Sequence, residues 1–229
     1  MKNTDLLINN KYIIRWTAKS GCTSIIKQWF DEAGILEEAL KYNHWVHNFR
    51  ISVFYDRFGR VTNNHFKSND FIKIQYVRNP YDKAVSSYIH AVGHPRLIHG
   101  KNKSFYDFVK ALHEKSIPIN GGGGHWCMQQ RDPTLKFDEV IKIENIKKET
   151  QRLNEKYNLN LKDFSSSHHH EKLSNVKDFF LLKRDETEAW IRKHKGIPSY
   201  KSFYNDEIRR MVYEIYKPDI ENYKYKYPY

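Results

Sequence analysis

The stretch IIRWTAKSGCTSIIKQWF, residues 13–30, decides the fold. It opens as a β-branched, apolar run and closes with Ile25, Ile26, Trp29, Phe30 and Ala33 spaced along one helix face. A buried strand over Tyr12–Trp16, a tight turn and a helix ending near Gly34 are therefore predicted. The turn is Lys19-Ser20-Gly21-Cys22-Thr23-Ser24. A strand-to-helix turn leaves several backbone N–H groups unpaired and aimed the same way. Gly21 lets the backbone approach a ligand, Thr23 and Ser24 add hydroxyls, and Lys19 adds a mobile positive charge. With the helix dipole they form an anion cradle. The Gly-x-x-x-x-Gly-Lys-Ser/Thr spacing of an ATPase loop is not present.

Working outward, FIKIQYV (71–77) reads as a second strand that runs into Arg78-Asn79-Pro80 and a helix carrying Ala84, Val85 and Tyr88. EVIKIEN (139–145) reads as a third strand, followed by a charged helix over 146–157. Ser104 caps a helix with Phe105, Phe108, Val109 and Leu112 as its core stripe. The four glycines of 121–124 read as a flexible loop, and 165–170 (SSSHHH) as an exposed one. A helical segment then runs through Trp190, and Asn205 caps a last helix interrupted at Pro218. This alternation predicts one α/β domain over 1–229, three layers around a mostly parallel central sheet flanked by helices.

In such sheets ligands bind beyond the carboxyl ends of the strands, where both the Lys19–Ser24 turn and Arg78 fall. The Arg78 fork and the Ser86 hydroxyl, eight residues on, make a second anion clamp. Two clamps at adjacent strand ends suit one ligand with phosphate-like groups at two places. ATP instead calls for a contiguous triphosphate cradle and carboxylates for Mg²⁺, and neither pattern is found.

Composition agrees with a folded chain: 39% hydrophobic and 15% aromatic residues exclude a disordered one. The net charge of +12 favours anionic partners. Two cysteines, Cys22 and Cys127, give no disulfide framework and fit a reducing compartment. No signal-peptide core and no apolar run of 18 residues occurs, so a soluble, cytoplasmic chain without a membrane span is expected.

AKSGCTS followed by YVRNPYDKAVSSY (76–88) resembles the paired motifs of sulfotransferases that use 3′-phosphoadenosine 5′-phosphosulfate (PAPS). The nearest pattern is that of the carbohydrate branch, sulfotransferase family 2-like. The resemblance continues in HWCMQQ (125–130), FDEVIKIENI (137–146) and YNDEIRRMVYEIYKPDIENYKY (204–225). It implies a P-loop-like sulfotransferase fold. It also implies that Lys19, Ser20, Gly21, Cys22, Thr23 and Ser24 hold the 5′-phosphosulfate, and Arg78 and Ser86 the 3′-phosphate. Ala18 stands where the family usually has Pro, Lys83 replaces a common Arg, and 171–198 resembles an insertion.

The implied reaction moves a sulfuryl group to an acceptor hydroxyl, on a carbohydrate, with PAP as product and no metal. Lys19 is assigned the leaving phosphate, because a cation there favours the transition state over the ground state. A general base is also wanted. His47 in NHWVHNF, with His44 as rival, and His125 are the candidates. Glu144 and Asn145 are candidates for orienting the base or the acceptor. A small-molecule kinase and a basic nucleic-acid-binding protein are the competing readings. The former lacks the loop spacing, and the latter lacks any recognition motif, so no nucleic-acid partner is expected. Acceptor identity and oligomeric state have no readable signature.

Overall fold

The computed structural model describes residues 5–98, 102–119, 124–130, 132–165 and 172–229. The chain forms two compact units, Met1–Arg78 with Arg131–His168, and Asn79–Gln130 with His169–Tyr229. In chain order the first unit contributes β1 (Leu6–Ile8), β2 (Tyr12–Arg15), α1 (Cys22–Glu32) and α2 (Leu36–Tyr42). A helical run follows, made of α3 (Val46–Phe49), a π-helical turn (Arg50–Phe54) and α4 (Tyr55–Phe58), then α5 (Asn63–Lys67) and β3 (Ile72–Val77). The second unit takes α6 (Pro80–Val92) and α7 (Phe105–His113). The first resumes with β4 (Glu139–Lys142) and α8 (Ile146–Tyr157). The second ends the chain with β5 (Lys172–Leu173), α9 (Arg184–His194), β6 (Ile197–Pro198) and α10 (Asp206–Asn222).

The first unit holds a four-stranded sheet in the order β1-β2-β3-β4. β1 is antiparallel to β2, while β2, β3 and β4 run parallel. The mixed α/β class with a mostly parallel central sheet is therefore as predicted. The third strand is shorter than the sequence suggests: it stops at Lys142, and Ile143–Asn145 forms a 3₁₀ turn leading into α8. Register sets Arg15 beside Gln75, and Gln75 beside Val140, so the carboxyl ends of all three parallel strands share one edge.

Alternation along the strands divides the burial. Tyr12, Ile14, Ile74, Tyr76 and Ile141 face a large core with Ile25, Ile26, Trp29 and Phe30 of α1 and Leu153 of α8. Ile13 faces the other way, into a smaller cluster with Val61 and Phe66 of α5. A buried polar chain ties α1 to the sheet. Trp29 Nε1 donates to Tyr76 Oη (3.0 Å), and Tyr76 donates to Gln28 Oε1 (2.9 Å). Gln28 Nε2 donates to Thr150 Oγ1 (3.0 Å) of α8 and to the Lys162 carbonyl (2.9 Å).

The second unit packs α6, α7 and α10 around an aromatic core that includes Tyr88, Phe105, Phe108, Trp126, Phe203 and Tyr216. Ser104 caps α7 as predicted, with its hydroxyl accepting from the Asp107 amide (3.1 Å). The last helix starts at an Asn205 cap and kinks at Tyr216, two residues before Pro218. Of the segment 171–198, the described residues 172–198 are part of this fold: Phe179 and Ile197 are core residues and β5 pairs with β6. Gly121–Gly123 and His168–His170, read from sequence as loops, lie outside the described residues.

Candidate functional site

The turn after β2 is built for backbone donors. Thr17 and Ser20 are buried and brace it: the Ser20 amide donates to the Thr17 carbonyl (3.2 Å), and their hydroxyls lie 3.1 Å apart. Lys19 takes the left-handed conformation at φ +68°, and Gly21 does so at φ +80°. A Cβ on Gly21 would meet nothing nearer than Ile143 at 3.8 Å, so its backbone conformation, not crowding, calls for glycine there. Gly21 is also the N-cap of α1 and brings no side chain to satisfy the first-turn amides. Those amides, at the positive end of an 11-residue helix, face the strand-end edge.

Three further groups gather on this turn. Arg78, next after β3, donates from Nη1 to the Lys19 carbonyl at 2.9 Å, which fixes the guanidinium beside the turn. Burial lowers the Lys19 pKa, the nearby Cys22 opposes this, and Arg78 adds to the lowering. Two cations side by side form a receptor for negative charge. Ser24 points its hydroxyl to the Phe164 carbonyl (3.0 Å), and the Cys22 thiol lies 3.5 Å from the Thr17 carbonyl. These two side chains hold the turn in shape.

His47, on α3, meets the turn directly: its Nε2 lies 3.2 Å from Thr23 Oγ1. Burial, assisted by the charge of Arg50, lowers its pKa to about 4, so the imidazole is neutral at neutral pH. Trp45 packs against its ring (5.0 Å between centroids) while staying half-exposed. His44 is exposed. Glu144 and Asn145 are exposed in the 3₁₀ turn after β4.

The first unit thus brings Lys19, Ser20, Gly21, Cys22, Thr23, Ser24, His47 and Arg78 together. Ser86 and His125 belong to the second unit. Ser86 sits half-buried on α6. The His125 ring stacks on His90 (4.3 Å, 22°), which in turn packs on His94 (4.3 Å). The His125 carbonyl accepts from Ser87 Oγ (2.7 Å) and Lys83 Nζ (3.4 Å). Lys83 also donates to the Cys127 carbonyl at 2.6 Å, with its ammonium 5.7 Å from the Tyr216 ring centre. Fully buried, it pins the 125–127 segment to α6 and takes a structural part.

Thr17, Trp45 and Arg50 are the residues sequence reasoning passed over. A hydroxyl two residues before Lys19 and an Arg one helical turn after His47 are the signals that point to the first and last. Among the described residues, no group of three or more His, Cys, Asp and Glu side chains is placed to hold a metal ion. No helix among them is long and apolar enough to cross a membrane.

The sequence model of the Sulfotransferase family matches residues 7–226. No curated protein and no solved structure gives a match.

Proposed function

Because the chain belongs to the sulfotransferase family, we propose that it transfers the sulfuryl group of PAPS to an acceptor hydroxyl, on a carbohydrate. The observation that carries this reading is the cradle itself. A left-handed Lys19–Gly21 turn with uncapped helix amides and two adjoining cations, Lys19 and Arg78, fits the anionic end of a phosphosulfate.

In this reading the first-turn amides of α1 and the Lys19 ammonium hold the 5′-phosphosulfate. Arg78 binds the 3′-phosphate, with Ser86 supplying a hydroxyl by the family pattern. His47 takes the proton of the acceptor hydroxyl as its oxygen attacks sulfur. The sulfur–oxygen bond to the 5′-phosphate then breaks, and Lys19 neutralises the charge that collects on the leaving oxygen. His47 is favoured over His125 because its Nε2 already touches Thr23 of the cradle. An anion in the cradle raises the basicity of His47, bringing the base toward its working range when donor is bound.

Incubation with labelled PAPS and a panel of sugars, capsular polymers and phenols tests the reading and finds the acceptor. Lys19→Ala is expected to abolish transfer with the fold intact, since alanine keeps the Cβ already tolerated at φ +68°. Near-normal turnover of that variant would overturn the leaving-group assignment.

A further inference from the structure

Arg50 opens the π-helical turn, one helical turn beyond His47, and only 9% of the residue is exposed. Its Nε and Nη1 are shut off from solvent and have no hydrogen-bond partner. The guanidinium lies over the faces of Trp16 (5.5 Å) and Tyr55 (5.9 Å), and Trp16 is the residue that links β2 to the turn of the cradle. Asp5, the acid whose field reaches Tyr55, is held by Arg15 through two hydrogen bonds of 2.9 and 2.7 Å. Arg60 adds a further cation over the Tyr55 ring, at 4.4 Å.

A buried charge whose N–H groups lack hydrogen bonds costs several kcal/mol in general, and buried charges in folded proteins are as a rule paired and hydrogen-bonded. π-Helical turns inside helices also concentrate at functional sites. We propose that Arg50 is the anchor for an oxyanion, a carboxylate or a sulfate ester, carried by the acceptor, and so selects acidic acceptors over neutral ones. The inference rests on the sulfotransferase reading for what the acceptor is, but not for the anion site. Trp16 and Tyr55 hold the guanidinium plane, and His47 stands three residues away on the same helical run. A group bound at Arg50 therefore fixes the rest of the acceptor next to the base. The 9% of the residue that stays exposed is the approach by which an anion reaches the guanidinium.

The test uses the whole protein saturated with PAP, so that the cradle is filled, and inorganic sulfate as probe against chloride at equal ionic strength. PAP binding, measured first by calorimetry, depends on the cradle and judges the sulfotransferase reading separately. Sulfate is expected to raise the melting temperature of the wild type by about 2–4 °C and to leave Arg50→Met unchanged. Without sulfate, Arg50→Met is expected to melt no lower than wild type, because the substitution removes an unpaired buried charge. Arg50→Lys, which keeps the charge but not the fork, is expected to show a reduced sulfate response. An absent response in the wild type, an equal response in Arg50→Met, or a lower melting point of Arg50→Met without sulfate would each overturn the proposal. So would a large loss of PAPS affinity in Arg50→Met with PAP affinity kept, which would give the anion to the donor's sulfonate.

Discussion

His47 combines two demands on one imidazole. Burial and the Arg50 charge keep it unprotonated, with a pKa lowered from 6.5 to about 4, while Thr23 holds its Nε2 on the cradle. In the free enzyme kcat/KM is therefore expected to fall on the acid side near pH 4 and not near 6.5. The same shift is linked to stability. Between about pH 4 and 6.5 the unfolded chain binds more protons at this residue than the native one. Its contribution is complete above 6.5, drains away as the pH falls to about 4, and changes no further below that. A pH–rate profile measured with His47→Asn alongside wild type checks this: the acid limb near 4 is expected to vanish in the variant, and a limb at 6.5 in both would place the base elsewhere. At this scale the turn was legible in sequence, because Lys19 to Ser24 act within one short segment. Arg50 was not, since nothing in its neighbours along the chain says that its Nε and Nη1 end up buried without a hydrogen bond.

The cradle is only as rigid as the contact between α1 and β3. The chain from Trp29 through Tyr76 and Gln28 to Thr150 supplies it, with every polar atom in that row paired inside the core. Tyr76→Phe removes one hydroxyl and strands two groups, the Trp29 indole N–H and the Gln28 carbonyl oxygen. The expected loss is about 1–3 kcal/mol, read as a lower urea midpoint at unchanged slope. A variant as stable as wild type would mean that water or a shifted neighbour satisfies both groups. The parallel strands and long helices were readable because apolar periodicity declares them. Residues 46–58 were not, since their aromatic residues serve three short helical turns, one of them π, with no single period. The 171–198 segment hid for a different reason: its strands are two residues long and owe their existence to pairing with each other.

At the scale of the whole molecule, one family match spans 7–226, across both compact units. Each unit has its own core, and each has a buried charged anchor: Glu139 in the first, accepting from Arg152, Lys156 and Tyr157 at 2.6–2.7 Å, and Lys83 in the second. The net charge of +12 belongs to this scale too, favouring anionic ligands by long-range attraction that salt weakens. The general fold was legible because strand ends and the charged residues at them fall at regular places in the chain. The division into two units was not, since residues 79–130 and 169–229 join across a long stretch of intervening sequence.

The central claim is that the strand-end cradle of Lys19–Ser24 and Arg78 receives a nucleotide phosphorylated at both its 3′ and 5′ positions. Calorimetric titration of PAP, and separately of ATP with and without Mg²⁺, into wild type and Arg78→Ala tests it most directly. The account predicts Mg²⁺-independent binding of PAP that weakens at least about tenfold in Arg78→Ala, the loss of a charge-assisted bidentate contact. Mg²⁺-dependent binding of ATP with no binding of PAP would contradict it.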